Sequence, residues 1–249
     1  SFVLHIYCRC RGLGLCFSLQ EHTSIALQGV LLFSLNYFLI YLSEQWLTSG
    51  LVAVIFSSVL FMNIVNEALL LGTPSGKVVV MGGVIGMSGI LMVFWPELSG
   101  IRSTTAIFTG VGLAVLGTFF ASLGMITSAR NQRIGLPVIQ TNALGMLYGA
   151  LLMGLVAFVL GREFTIQLTA SYLVSLAYLV VFGSVVGFGA YLTLLGRIGP
   201  GRAGYVTLLV PIVALLGSWA VEGYSWTWFT VVGIGLIVGG NIVVLNTRS

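Results

Sequence analysis

The feature that most constrains this chain is a succession of long apolar stretches separated by short polar connectors. A helix that crosses a bilayer needs about 20 predominantly apolar residues. Eight stretches meet that requirement: 24–43, 47–71, 77–96, 104–127, 136–160, 171–195, 201–222 and 226–246. Several connectors carry helix-breaking residues, as in Gly199-Pro200-Gly201. The pattern predicts an all-α fold, a polytopic bundle of membrane helices.

Charge is too scarce for a water-facing surface. Of the 249 residues only 10 are Lys or Arg and 6 are Asp or Glu, whereas charged residues make up about 25% of a soluble domain. The basic residues are scattered singly between apolar stretches, so the net charge of +4 does not indicate nucleic-acid binding. The surroundings expected for this chain are therefore lipid.

The cysteines and histidines do not form a metal-binding pattern. Cys8, Cys10 and Cys16 lie together near the start, and His5 and His22 are the only histidines. A metal site of this spacing would need more ligands, and three cysteines in one short segment do not make a disulfide framework. We expect no metal and no cofactor.

The basic residues also predict the orientation, because cytoplasmic loops are enriched in Lys and Arg. Alternate loops place two basic residues on one side, Arg102 and Arg162. The opposite side collects eight: Arg9, Arg11, Lys77, Arg130, Arg133, Arg197, Arg202 and Arg248. That side is predicted to be cytoplasmic, and it includes both ends of the chain.

An internal repeat relates two parts of the sequence, since 35–94 resembles 185–245. The matched residues are Tyr41-Leu42 with Tyr191-Leu192 and, after a slip of one residue, Gly82 and Gly89 with Gly233 and Gly240. Between equivalent helices the chain is predicted to cross the membrane five times, an odd number, so the copies have opposite orientation. Inverted repeats are typical of secondary transporters.

The segment AYLTLLGRIGPGRAGYVTLLVPIVALLGSWAVEG at 190–223, with the Gly-rich helix after it, resembles the drug/metabolite transporter superfamily, EamA-like type. The residues that carry the resemblance are Arg197, Gly199, Pro200, Arg202, Ala203 and Pro211. It implies a ten-helix fold of two inverted five-helix repeats. On that basis 1–100 is an incomplete first repeat and 101–249 the second, in an N-terminally truncated chain. A fragment that lacks the earlier helices is expected not to transport.

The function that this resemblance implies is secondary transport. We expect an exporter of small metabolites or drug-like molecules across the bacterial inner membrane by alternating access, with protons as a candidate coupling ion. One departure concerns Leu71-Gly72-Thr73, where family members often have Leu-Gly-Glu. Any role of that glutamate cannot be carried over to Thr73.

A polar patch on one helix is the first candidate site. Asn63, Asn66 and Glu67 share a helix face because positions three and four apart are neighbours. One interpretation is a substrate or proton site, since ionisable groups within membranes are costly and often functional. The other is that Glu67 extends to the cytoplasmic interface while the asparagines bond neighbouring helices.

Further substrate-binding candidates lie on neighbouring helices. The chain itself suggests residues of the first repeat: Asn36, Tyr37, Tyr41 and Ser57. The resemblance implies counterparts in the second: Tyr178, Tyr191 and Thr207. For any Ser or Thr the competing interpretation is a hydrogen bond to a carbonyl of its own helix.

Two other classes of protein stay open as alternatives. A non-transporting membrane scaffold or sensor fits the composition, whereas a lipid-modifying enzyme fits poorly because the chain has no Asp and no paired carboxylates. We therefore expect no enzyme. A nucleotide-driven pump is excluded because the P-loop pattern does not occur. The expected partners are a small-molecule substrate and the bilayer, with no nucleic acid; a homodimer is left open.

Overall fold

The computed structural model describes residues 1–95, 105–161, 169–210, 212–213 and 227–245. Every regular element in these ranges is helical, which confirms the all-α polytopic bundle. The helices are α1 (Phe2–Cys10), α2 (Leu19–Ser43), α3 (Ser49–Leu71), α4 (Lys77–Val93), α5 (Thr105–Arg133), α6 (Val138–Val159), α7 (Ala170–Ile198), α8 (Pro200–Ala203) and α9 (Trp228–Leu245).

Five of these helices are long and apolar enough to cross a membrane: α2, α3, α5, α6 and α7. The apolar helices α4 and α9 are shorter. After α8 the chain turns at Gly204 and is helical again over 205–210. Pro211 and most of the second half of the predicted span 201–222 lie outside the described residues.

Two helices extend well beyond one end of the predicted span, and α7 extends by a few residues. Helix α2 begins at Leu19 rather than 24, because Ser18 and Glu21 form a capping box in which each side chain accepts from the other's backbone N–H. Helix α5 continues to Arg133 rather than 127. The last turns of α5 contain Ser128 and Asn131, two polar residues that do not extend an apolar stretch in the sequence. Both are nevertheless buried in the structure.

Packing divides the chain into two compact units that do not follow the predicted repeats. The first comprises 1–35 and 123–197, and the second comprises 36–122 and 198–249. This is a division by contacts, so the repeat boundaries near residue 100 stay a prediction.

In the first unit, α6 packs against α1 and against the first part of α2. A glycine contact lets the backbones of α2 and α6 approach closely: a Cβ on Gly29 would collide with the carbonyl of Gly145. Small apolar clusters fill the remaining space, among them Leu4, Cys8, Ala143 and Met146.

In the second unit, α4 and α9 pack antiparallel through reciprocal glycine contacts. A Cβ on Gly89 would lie 2.5 Å from the carbonyl oxygen of Gly233, and one on Gly82 would lie 2.9 Å from that of Gly240. The sequence repeat matches Gly82 with Gly233 and Gly89 with Gly240. Gly82 therefore faces the repeat counterpart of Gly89, and Gly89 faces the repeat counterpart of Gly82. An isologous interface has the same reciprocity.

Local features recur in the first unit at a separation of about 150 residues. Helices α1 and α6 both end before a glycine with a left-handed backbone, Gly12 at φ 63° and Gly161 at φ 62°. The helices that follow begin after a hydroxyl cap, Ser18 and Thr169. Each then contains a π-helical segment, Leu31–Leu35 in α2 and Leu179–Gly187 in α7. These correspondences support the internal repeat.

Candidate functional site

A buried network of amide side chains connects three helices of the first unit. The Nδ2 of Asn131 donates to the Oε1 of Gln28 at 2.9 Å, and the Nε2 of Gln28 donates to the Oδ1 of Asn142 at 3.3 Å. The hydroxyl of Ser24 donates to the Oδ1 of Asn131 at 2.5 Å. Gln28 and Asn131 are fully buried. The network fixes α2, α5 and α6 to one another.

The predicted site residues do not include these amides, because the predictions centre on the ionisable Glu67 and on the helices that family members use. The available signal was an isolated amide inside an apolar stretch: Gln28 in IALQGVLLF and Asn142 in TNALGM. Such a residue has to find a partner within the protein when lipid surrounds the helix. Which amides would meet could not be read from spacing, because they lie more than a hundred residues apart.

A second hydrogen bond joins α5 to α7. The Nε2 of Gln132 donates to the backbone carbonyl of Leu192 at 2.9 Å. Gly196 gives the amide room, since a Cβ at that position would overlap the Oε1 of Gln132. Helix α7 is therefore anchored near its C-terminal end, while none of the residues 170–187 is buried.

The π-helical segments of α2 and α7 meet in the first unit. Phe33 lies in one segment and Phe188 directly follows the other, and their ring centroids are 5.0 Å apart in an edge-to-face arrangement. A π-helical turn widens the helix and is frequent at functional sites. In the first segment the hydroxyl of Ser34 is buried with no hydrogen-bond partner among the described residues.

A cavity of about 530 Å³ opens beside the second π-helical segment, between α1, α6 and α7. Its lining residues are Leu4, Tyr7, Ile139, Asn142, Val185, Val186, Gly189, Ala190, Thr193, Leu194 and Arg197. The volume lies within the range of about 300–1,000 Å³ that is common for small-molecule sites. Most of the wall is apolar, and the buried amide of Asn142 joins it to the network described above.

The charge of this cavity is positive. Among the described lining residues Arg197 carries the positive charge, and the other polar groups are the Tyr7 and Thr193 hydroxyls and the Asn142 amide. Tyr7, Asn142 and Arg197 can donate hydrogen bonds to a ligand, whereas the Thr193 hydroxyl donates to the Gly189 carbonyl at 2.6 Å and can only accept. An apolar wall with donors and a guanidinium group can accommodate an amphiphile that has an acceptor or an anion at one end.

The predicted patch of Asn63, Asn66 and Glu67 is buried in the second unit. Asn66 donates to the hydroxyl of Ser122 at 2.9 Å, and Asn63 donates to the carbonyl of Pro200 at 3.4 Å. The Glu67 side chain is only 7% exposed, and its Oε2 accepts from the backbone N–H of Gly201 at 2.7 Å. The carboxylate thus contacts the start of α8.

The other predicted residues are described by their own surroundings within each unit. Tyr37 and Tyr41 lie side by side with ring centroids 6.2 Å apart, and both are exposed. Tyr178 is exposed against Phe182, and Asn36 is buried near the middle of α2. Their assignment to a substrate site stays a prediction.

Three hydroxyl-bearing candidates donate hydrogen bonds within the protein, two of them to their own helix segment. The Ser57 hydroxyl donates to the Ala53 carbonyl at 2.8 Å, and that of Thr207 donates to Gly204 at 2.6 Å. Both bonds are of the kind that the competing interpretation expected. Tyr191 donates to the sulfur of Met125 at 3.4 Å.

Comparison with known proteins identifies the family. The model of the EamA-like transporter family matches residues 108–246, more than half of the chain, so the chain belongs to that family and is a membrane transporter. The resemblance inferred from 190–223 is confirmed. The family points to a transporter rather than to an enzyme.

Named relatives agree with this assignment. The chain is 26% identical over 228 residues to the uncharacterized inner membrane transporter YedA of Escherichia coli (strain K12), covering 91% of this chain and 72% of that protein. It is also 26% identical over 236 residues to the uncharacterized transporter YvbV of Bacillus subtilis (strain 168), covering 93% and 74%.

The fold has a counterpart among solved structures. A crystal structure of another protein superposes with a TM-score of 0.80 at 16% identity, covering 97% of this chain and 82% of that one. At this identity the likeness concerns the fold alone.

Proposed function

We propose that this protein is a secondary transporter that exports small amphiphilic metabolites or drug-like molecules across the bacterial inner membrane by alternating access. The observation that carries the proposal is the cavity in the first unit, with its apolar wall and its donors at Tyr7, Asn142 and Arg197. The antiparallel pairing of α4 and α9 through matched glycines supports the mechanism, since inverted repeats underlie alternating access.

The cavity indicates a substrate with an apolar body and an anionic or hydrogen-bond-accepting group. Val185 and Val186 of the π-helical segment would contact the apolar body, and Arg197 would bind the anionic group. The predicted candidates, above all Asn63 and Asn66, would contact the substrate at another stage of the transport cycle. We also propose that both chain ends lie in the cytoplasm, on the basis of the Lys and Arg distribution.

Flux into liposomes tests this function. The purified full-length protein is reconstituted and offered labelled anionic amphiphiles, amino acids, nucleobases and cationic drugs, with and without a proton gradient. For anionic amphiphiles, Arg197→Gln should raise the KM about tenfold, because one charge-assisted bond is weakened. The matched control is Arg130→Gln, an exposed arginine that does not line the cavity.

The results separate the competing functions. Saturable flux that depends on Arg197 and not on Arg130 would support the proposal. Tight binding without flux would favour a membrane sensor or scaffold. Flux restricted to cations and unaffected by Arg197→Gln would overturn the assignment of the cavity.

A further inference from the structure

We propose that Glu67 is a positioning residue of the transport cycle: its carboxylate fixes the Gly199-Pro200-Gly201 turn to the end of α3, and this contact sets how readily that end of the second unit opens. The inference rests on the proposed function, because a transporter has to open and close each end of its path. In this inference Glu67 controls the opening of the second unit and does not contact the substrate.

The contact is made by two side chains of one helix face. Asn63 and Glu67 stand four residues apart on α3, so they point the same way. The Glu67 Oε2 accepts from the Gly201 N–H at 2.7 Å, and Asn63 donates to the Pro200 carbonyl at 3.4 Å. One residue accepts from the turn while the other donates to it. The two bonds therefore fix both the position and the direction of the turn.

The chain that follows α3 also contacts this carboxylate. Thr73, just after the end of α3, donates its hydroxyl hydrogen to the Glu67 Oε1 at 3.4 Å. The hydroxyl oxygen of Ser75 lies 2.5 Å from the position that a Cβ on Gly201 would occupy. The α3–α4 connection and the Gly199–Gly201 turn thus enclose one carboxylate between them.

The glycines of the turn are spaced to admit this carboxylate. A Cβ on Gly199 would lie 2.6 Å from the Glu67 Oε1, and one on Gly201 would lie 2.9 Å from the Oε2. Gly199 also has φ 86°, a left-handed backbone that other residues rarely adopt. A larger residue at 201 would have to displace Glu67. The R-x-G-P-x-R turn is therefore built around a side chain from a distant helix.

The contact between Glu67 and the turn can be broken and re-formed, because of the groups that the carboxylate binds. Its bonds in the described structure go to a backbone N–H and a hydroxyl, both of which water can replace when the end opens. Because Glu67 is buried while the contact is made, breaking the contact would expose its carboxylate to water.

Alkylation of an introduced cysteine measures the opening directly. Ser75→Cys is made after Cys8, Cys10 and Cys16 are replaced by alanine, and a water-soluble maleimide reports its exposure in proteoliposomes. Both Glu67→Ala and Gly201→Ala should raise the alkylation rate about tenfold, through loss of one charge-assisted hydrogen bond. Glu67→Gln keeps the shape and an acceptor oxygen, so it should give an intermediate rate.

Two controls separate this effect from general loosening. Thr118→Val removes a buried hydroxyl of the second unit that bonds the Ala114 carbonyl rather than the turn. Gly76→Ala adds a methyl group in the α3–α4 connection, where nothing lies within 4 Å. Both should leave the alkylation rate within about twofold of the parent. Monodispersity on gel filtration is required of every variant, and Glu67→Gln alone decides the test if Glu67→Ala aggregates.

Transport kinetics complete the test. In the parent and in Glu67→Gln the substrate KM should agree within about twofold while the maximal rate changes, because the residue acts on opening rather than on binding. Equal alkylation rates in all variants would overturn the inference, and so would a raised KM with unchanged alkylation. Absence of flux in every protein together with the expected alkylation pattern would refute the proposed function and leave the contact itself established.

Discussion

At the scale of single residues, the most informative side chains are amides and one carboxylate buried in an otherwise apolar protein. The grouping of Asn63, Asn66 and Glu67 on one face of α3 could be predicted, because helical spacing alone determines it. Their partners Ser122 and Gly201 could not, because they depend on which helices pack together. Gln28 was missed for the same reason: its importance lies in its partners.

The amide network yields a prediction about stability. Replacing Gln28 with alanine leaves the amides of Asn131 and Asn142 each without one bond. We expect the free energy of unfolding to fall by about 1–3 kcal/mol, the usual cost of leaving a buried polar group without its partner. In lipid the unfolded helices also find hydrogen-bond partners, which moves the expected value toward the lower end of this range. Thermal unfolding in detergent, followed by tryptophan fluorescence, measures the change.

The control for this variant is Gln45→Ala, since Gln45 is exposed in the turn after α2. Its effect should stay within about 0.5 kcal/mol. Equal melting temperatures for Gln28→Ala and the parent protein would show that the network contributes specificity rather than stability.

At the scale of helices, hydropathy located the spans and local chemistry determined their ends. The capping box of Ser18 and Glu21 was readable in the sequence, but apolar periodicity starts later and gave 24 as the first residue. The π-helical segments Leu31–Leu35 and Leu179–Gly187 were not predictable, because an extra residue in a turn leaves the apolar pattern almost unchanged.

The pairing of α4 with α9 predicts a strong effect of a single methyl group. In Gly89→Ala the new Cβ would lie 2.5 Å from the Gly233 carbonyl oxygen, so the helices have to separate. The expected loss is about 1–3 kcal/mol of unfolding free energy, the usual penalty of overpacking. Thermal unfolding of the purified protein provides the measurement.

A glycine without close neighbours serves as the comparison. Gly112 lies within α5 and has nothing within 4 Å of the position of its Cβ. Gly112→Ala should therefore be neutral or slightly stabilising, as alanine favours helix by about 1 kcal/mol over glycine. Similar losses in both variants would mean that the close approach of α4 and α9 is not maintained in the membrane.

At the scale of the whole molecule, the family and the helical class were predictable from the sequence, and the comparisons confirm both. Composition was sufficient for the class, because so few charges leave lipid as the only suitable solvent. The cavity was not predictable: its wall combines α1, α6 and α7, and no motif marks Val185 or Leu4 as lining residues.

Orientation in the membrane gives a prediction at this scale. Ser49 is the first residue of α3, and Thr227 directly precedes α9. The Lys and Arg distribution predicts that both lie outside the cell. In intact cells, an impermeant maleimide should label Ser49→Cys and Thr227→Cys. It should label Arg133→Cys only after permeabilisation. Labelling of Ser49→Cys and Thr227→Cys from different sides would contradict the inverted arrangement.

The reciprocal glycine contact of α4 and α9 has a consequence for the origin of such a chain. Since Gly82 meets Gly240 and Gly89 meets Gly233, the surface that one helix presents is the surface that the other needs. A half-length ancestor bearing one such helix would already have been self-complementary. Two copies inserted in opposite directions could have associated through it, before duplication and fusion joined them in one polypeptide.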